Sequence, residues 1–124
     1  MKPKNISEIN NYIDSMKLIL KDGTDNLDIK INRDKNFTFF YLYNINKEFV
    51  RNALVNLTPN DFNREILSTN EFHTNEILYE WRTQLELTAM DGSTDIRDVY
   101  IKTYLDENNK TVVVISFHKD KDYR

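Results

Sequence analysis

Apolar residues recur along this chain with a spacing near 3.6 in its first half and near 2 in its second. Ile6, Ile9, Ile13, Met16 and Leu20 are three and four residues apart, which predicts one face of a helix. Asn5 stands where an N-cap belongs, Glu8 completes a capping box, and Gly23 supplies a stop. Leu27, Ile29 and Ile31 alternate with polar residues and predict a short strand. Residues 35 to 43 read both ways. Their aromatics favour a strand, while Phe37, Phe40, Tyr41 and Asn44 also share a helical face. Asn46 caps a further helix with Val50, Ala53, Leu54 and Leu57 turned inward. Thr58-Pro59-Asn60-Asp61 predicts a helix restart, with Thr58 as cap, Pro59 in the first turn and Asp61 at the positive end.

Residues 68 to 76 are polar and predict no element. Ile77, Tyr79, Trp81, Leu85 and Leu87 alternate as a long strand that ends at the Asp91-Gly92 turn. A hairpin follows, with strands at Asp98–Lys102 and Val112–His118 and a loop at residues 106 to 110. With that loop, Tyr100 faces Ser116, Lys102 faces Val114, and His118 lies diagonal to Tyr100 on the same sheet face. A loop one residue shorter turns Tyr100 and His118 to opposite faces. The same register predicts a dry core of Ile9, Ile13, Leu54, Ile101, Ile115 and Phe117. Helices first and strands after give an α+β domain, with N-terminal helices packed on a small antiparallel sheet of three or more strands. A chain of 124 residues is one domain, residues 1 to 124.

Composition narrows the function classes. There is no cysteine, so a disulfide framework and a thiolate zinc site are both excluded. No apolar run is long enough to cross a membrane as a helix. The first residues do not read as a signal peptide, and the expectation is a cytoplasmic protein with no membrane partner. The net charge is −3, and no run of basic residues marks a nonspecific nucleic-acid binder. A compact site with a few cationic groups remains compatible with that charge.

No glycine-rich phosphate loop exists, since Gly23 and Gly92 are the only glycines. No nucleophile elbow is present. His73 and His118 are too far apart in sequence to form a local metal motif, and no metal or other cofactor is expected. A histidine near a chain end is ordinarily a surface residue, but His118 shares its strand face with other reactive groups. What remains is Arg64, Tyr100, Lys102 and His118. These residue types suit metal-independent RNA cleavage. A base takes the proton of the ribose 2′-hydroxyl, an acid protonates the departing 5′-oxygen, and cations stabilise charge on the phosphate. Histidine supplies acid or base near neutrality, and arginine holds phosphate oxygens bidentately. The candidate catalytic residues are His118, Tyr100 and Arg64. The candidate substrate-binding residues are Lys102, Ser116 and Lys119.

Three short stretches, in order, carry a resemblance. Leu57-Thr58-Pro59-Asn60-Asp61-Phe62, Val99-Tyr100-Ile101-Lys102 and Val113-Val114-Ile115-Ser116-Phe117-His118 together resemble the motility-quorum-sensing-regulator (MqsR) toxin family. Arg33-Asp34-Lys35-Asn36-Phe37 and Phe49 to Leu57 resemble the segment preceding them, so the likeness spans about residues 30 to 119. It implies a RelE-like ribonuclease fold and a messenger RNA endoribonuclease toxin of a type II toxin–antitoxin system, acting in stress response. Single-stranded mRNA and a cognate antitoxin protein would be its partners. It implies that Arg64 is the basic residue after the aspartate–aromatic pair, that Tyr100 belongs to the tyrosine-x-lysine strand, and that His118 follows serine-phenylalanine. It also implies that residues 35 to 43 are helical. The family's glutamine has no equivalent near Ile77 and Leu78, and the stretch from Glu86 to Asp98 is longer than in the family. The alternative reading is a non-catalytic protein-binding module or inhibitor on the same scaffold, of the kind a mobile element encodes.

Overall fold

The computed structural model describes residues 5–30, 34–67 and 77–120; Ile31, the polar segment 68–76 and His73 within it lie outside the described residues. Helix α1, Ile6–Ile19, forms on the three-and-four spacing and buries Ile9, Ile13 and Met16. Its capping box is complete. The Asn5 side chain accepts from the Glu8 N–H at 2.8 Å, and the Glu8 carboxylate accepts from the Asn5 N–H. Gly23 follows with φ of +130°, a conformation that side chains with a Cβ rarely adopt. Strand β1 is Leu27–Ile29.

The ambiguous aromatic segment is helix α2, Asp34–Tyr43. Tertiary contact decides it: a helix there lays Phe39 and Phe40 against Phe117, with ring centroids 6.2 and 5.8 Å away. Helix α3, Lys47–Val55, starts at Asn46, whose side chain accepts from the Phe49 N–H at 2.8 Å, and buries Val50, Ala53 and Leu54. The helix expected after Thr58 is a single 3₁₀ turn, Pro59–Asp61. Thr58 and Asp61 still cap one another, with the Thr58 N–H donating to Asp61 at 2.9 Å. The turn then gives way to strand β2, Phe62–Leu67, because these residues pair with strand β3, Ile77–Thr88.

Strands β4, Thr94–Asp106, and β5, Thr111–Lys119, complete a five-stranded sheet of order β1-β5-β4-β3-β2. The α+β expectation holds. The sheet is mixed rather than purely antiparallel, because β1 runs parallel to β5. One sheet face carries the helices and the main core, including Trp81, Val99, Ile101, Val112, Val114 and Phe117. Trp81 is fully buried, and its Nε1 donates to Thr103 Oγ1 at 3.2 Å. The Tyr12 hydroxyl shares a hydrogen bond with the same oxygen at 2.9 Å, and its ring stacks on Tyr79 at 3.6 Å. Buried polar atoms in this core therefore have partners.

The opposite face has a smaller apolar cluster of Leu78, Tyr104, Val113 and Ile115. Ile115 was expected in the main core. It lies in this second cluster instead, because the strand carrying it is bulged.

Candidate functional site

The bulge controls the site. Near the hairpin loop, Asp106 pairs with Thr111 and Thr103 with Val114. The loop is therefore residues 107 to 110, one shorter than expected, and Lys110 closes it with φ of +51°. That alone would turn Tyr100 and His118 apart. Between Lys102 and Thr103 the register shifts again, and Ile115 has no partner on β4. An extra residue resets the alternation of a strand. The two one-residue offsets add, so Tyr100 stands directly opposite His118 and Lys102 opposite Ser116. The expected pairs, Tyr100 with Ser116 and Lys102 with Val114, are replaced. The shared face survives.

Asn36 of α2 holds the bulged strand. It is fully buried, and its Nδ2 donates to the Ile115 carbonyl at 2.9 Å and the Lys30 carbonyl at 3.0 Å. Its Oδ1 accepts from the Phe117 N–H at 3.0 Å. Strand β1 stops pairing at Ile29, and this amide takes over the β5 edge beyond it.

Glu80 is the centre of the helix-free face. It lies on β3, opposite Arg64 on β2 and Lys102 on β4, and is only 2% exposed. Among the described residues, three side chains donate to its carboxylate. Arg64 Nε reaches Oε1 at 2.9 Å, Asn63 Nδ2 meets the same oxygen, and the Tyr100 hydroxyl meets Oε2. A buried carboxylate is stable only when so partnered. Burial pushes the Glu80 carboxyl up, but the hydrogen bonds from Tyr100, Arg64 and Asn63 and the Arg64 charge outweigh it. The net result lies below the ordinary carboxylate value. Burial first, then the bond to Glu80, raises Tyr100, which stays a neutral hydroxyl. Its proton is committed to Glu80, so Tyr100 orients neighbours rather than supplying an acid. The hydrogen bond to Glu80, then its charge, raises the Arg64 guanidinium.

The His118 ring stacks on Tyr100, with centroids 5.3 Å apart and planes at 29°. Its Nδ1 donates to the Lys119 carbonyl at 3.0 Å, since a carbonyl can only accept. In the neutral ring Nε2 is then the basic nitrogen. Lys102 Nζ lies 6.0 Å from the Tyr100 centroid, at the limit of a cation–π contact.

No protein-family model matches this chain, and no curated protein or solved structure does. The site is therefore read from its own geometry. Tyr100, Lys102, Ser116 and His118 share a sheet face, and Arg64 joins them across Glu80. Lys119 does not. It pairs with Val99, one step out of phase with His118, and lines a groove beside α2. Among the described residues no group of three or more His, Asp or Glu side chains is arranged to hold a metal ion.

Sequence reasoning missed Glu80, Asn63 and Asn36. Glu80 lies between the inward residues Tyr79 and Trp81, so alternation reads it as a solvated position. Only the pairing of β2, β3 and β4 reveals that it is covered. Asn36 has no signal in the local pattern, because two of its three partners are 79 and 81 residues away.

Proposed function

We propose that this protein is a metal-independent endoribonuclease on a RelE-like scaffold, a toxin of the MqsR type that an antitoxin protein would neutralise. The single observation that carries the reading is the gathering of Arg64, Tyr100, Lys102 and His118 on one sheet face around the buried Glu80 carboxylate. Each has a role in the proposed step. His118 Nε2 takes the proton of the ribose 2′-hydroxyl. The 2′-oxygen bonds to phosphorus, the bond to the 5′-oxygen breaks, and that oxygen takes the proton that His118 Nε2 has accepted. The products are a 2′,3′-cyclic phosphate and a 5′-hydroxyl. Arg64 has 60% of its side chain exposed while its Nε is held by Glu80, so a fixed guanidinium faces the phosphate. Lys102 adds a second positive charge. Glu80 orients both Arg64 and Tyr100, and Tyr100 supports the imidazole plane. A carboxylate thus stands close in sequence to where the family resemblance expects a glutamine amide.

The test is incubation of the pure protein with single-stranded RNA in EDTA at low salt, with the cleaved ends mapped. Cyclic phosphate ends are expected, and His118→Ala should lower the rate by about 10²–10⁴-fold with the fold intact. Intact RNA with the wild-type protein, or unchanged cleavage by His118→Ala, would reject the reading. The second reading is a protein-binding module. It is favoured by the outer surface of α2, where Phe37, Tyr41 and Leu42 are each at least half exposed.

A further inference from the structure

Beside the site, a groove of about 530 Å³ runs between α2 and the end of β5. Phe39, Leu42 and Tyr43 form its apolar wall, and His118, Lys119 and Asp120 form the other side. His118 therefore borders both the groove and the face that carries Glu80, Tyr100 and Arg64. The volume falls within the range of small-ligand sites, roughly 300–1,000 Å³. An apolar floor with a few polar groups at its rim suits a flat ring with hydrogen-bonding edges.

We infer that this groove holds the base of the nucleotide whose phosphate lies at His118. The inference rests on the ribonuclease reading and specifies its substrate as an unstacked, single-stranded nucleotide. The charges at the rim favour that occupant over an apolar peptide segment. Lys119 and His118 lie at the end shared with the site, where an anionic phosphate is attracted. Asp34, exposed at the first turn of α2, is an acceptor for a base amino or imino group. Asp120 would repel a phosphate, but Arg82 Nε holds its carboxylate at 3.1 Å. A base inside a duplex has both faces stacked and cannot enter such a groove. A splayed single-stranded base can.

The test is calorimetric titration of the full chain with the 3′-monophosphates of guanosine, adenosine, cytidine and uridine, and with inorganic phosphate as the base-free probe. At least one nucleotide should bind about tenfold or more tighter than phosphate, the scale of one base-stacking contact. Leu42→Asp should erase that advantage, and Phe37→Ala, on the same helix but outside the groove lining, should keep it. Thermal melts check that each variant folds. If Leu42→Asp unfolds, Thr38→Trp, which fills the groove without adding charge, takes its place. Equal binding of nucleotides and phosphate, or an advantage that survives in a folded groove variant, would overturn the inference. RNA cleaved in EDTA together with base-independent binding would reject the groove and keep the ribonuclease. Intact RNA together with base-dependent binding would do the reverse.

Discussion

Glu80 shows how one side chain can organise a face. Its carboxylate takes donors from β2 and β4, so the two strands that flank β3 are tied through it. Its folded-state pKa lies below the unfolded one. Between those values the unfolded chain binds the extra proton, so stability from this group is present above the unfolded value. It is lost as pH falls through the folded value. Urea unfolding from about pH 5 to 3 should therefore show a steeper loss for wild type than for Glu80→Gln, whose amide does not titrate. Equal slopes would remove Glu80 from this role. Asn36 gives a second test. Asn36→Ala leaves the buried Phe117 N–H and Ile115 carbonyl without partners and should cost about 1–3 kcal/mol. A loss near zero in denaturant melts would mean that β5 does not depend on this bridge. Neither role is legible from the residue's neighbours in sequence, because both are defined by strands that arrive from elsewhere in the chain.

At the scale of elements, the β4–β5 hairpin decides which residues meet. Its short loop and its bulge together shift the register by two residues, and an even shift keeps His118 on the Tyr100 face. The same bulge puts Ile115 in the small cluster and leaves Phe117 fully buried in the main core between Phe39 and Phe40. Phe117→Ala should therefore cost about 3–5 kcal/mol, and Ile115→Ala should fall near the lower end of about 2–5 kcal/mol. Chemical denaturation of both variants checks the order; a larger loss for Ile115→Ala would reverse the assignment of faces. The helices were the most legible elements. Asn5 with Glu8, and Asn46 before its apolar stripe, are local signals and both caps form. The stop after Asp61 was not legible, since Thr58 and Pro59 begin a helix equally well and only pairing with β3 turns the chain into a strand.

For the whole molecule, a net charge of −3 limits how RNA would bind under the proposed function. Attraction must come from a few placed cations rather than from a broad field. If Arg64, Lys102 and Lys119 each meet a phosphate, the logarithm of RNA affinity should fall with the logarithm of salt at a slope of about −2. A slope near zero in filter-binding titrations would take phosphate contacts out of the reading. By itself the sequence determined the α+β class, the capped helices, the long alternating strand β3 and the hairpin that joins Tyr100 to His118. These depend on helical and strand periods, which are local properties of the backbone. The tertiary structure decided the helical state of α2, which the local pattern left open and only the resemblance implied, and it alone decided the parallel pairing of β1, the bulge at Ile115 and the burial of Glu80. Each of these is a contact between distant segments, and a strand's register is set by its partner and its turn, not by its own pattern.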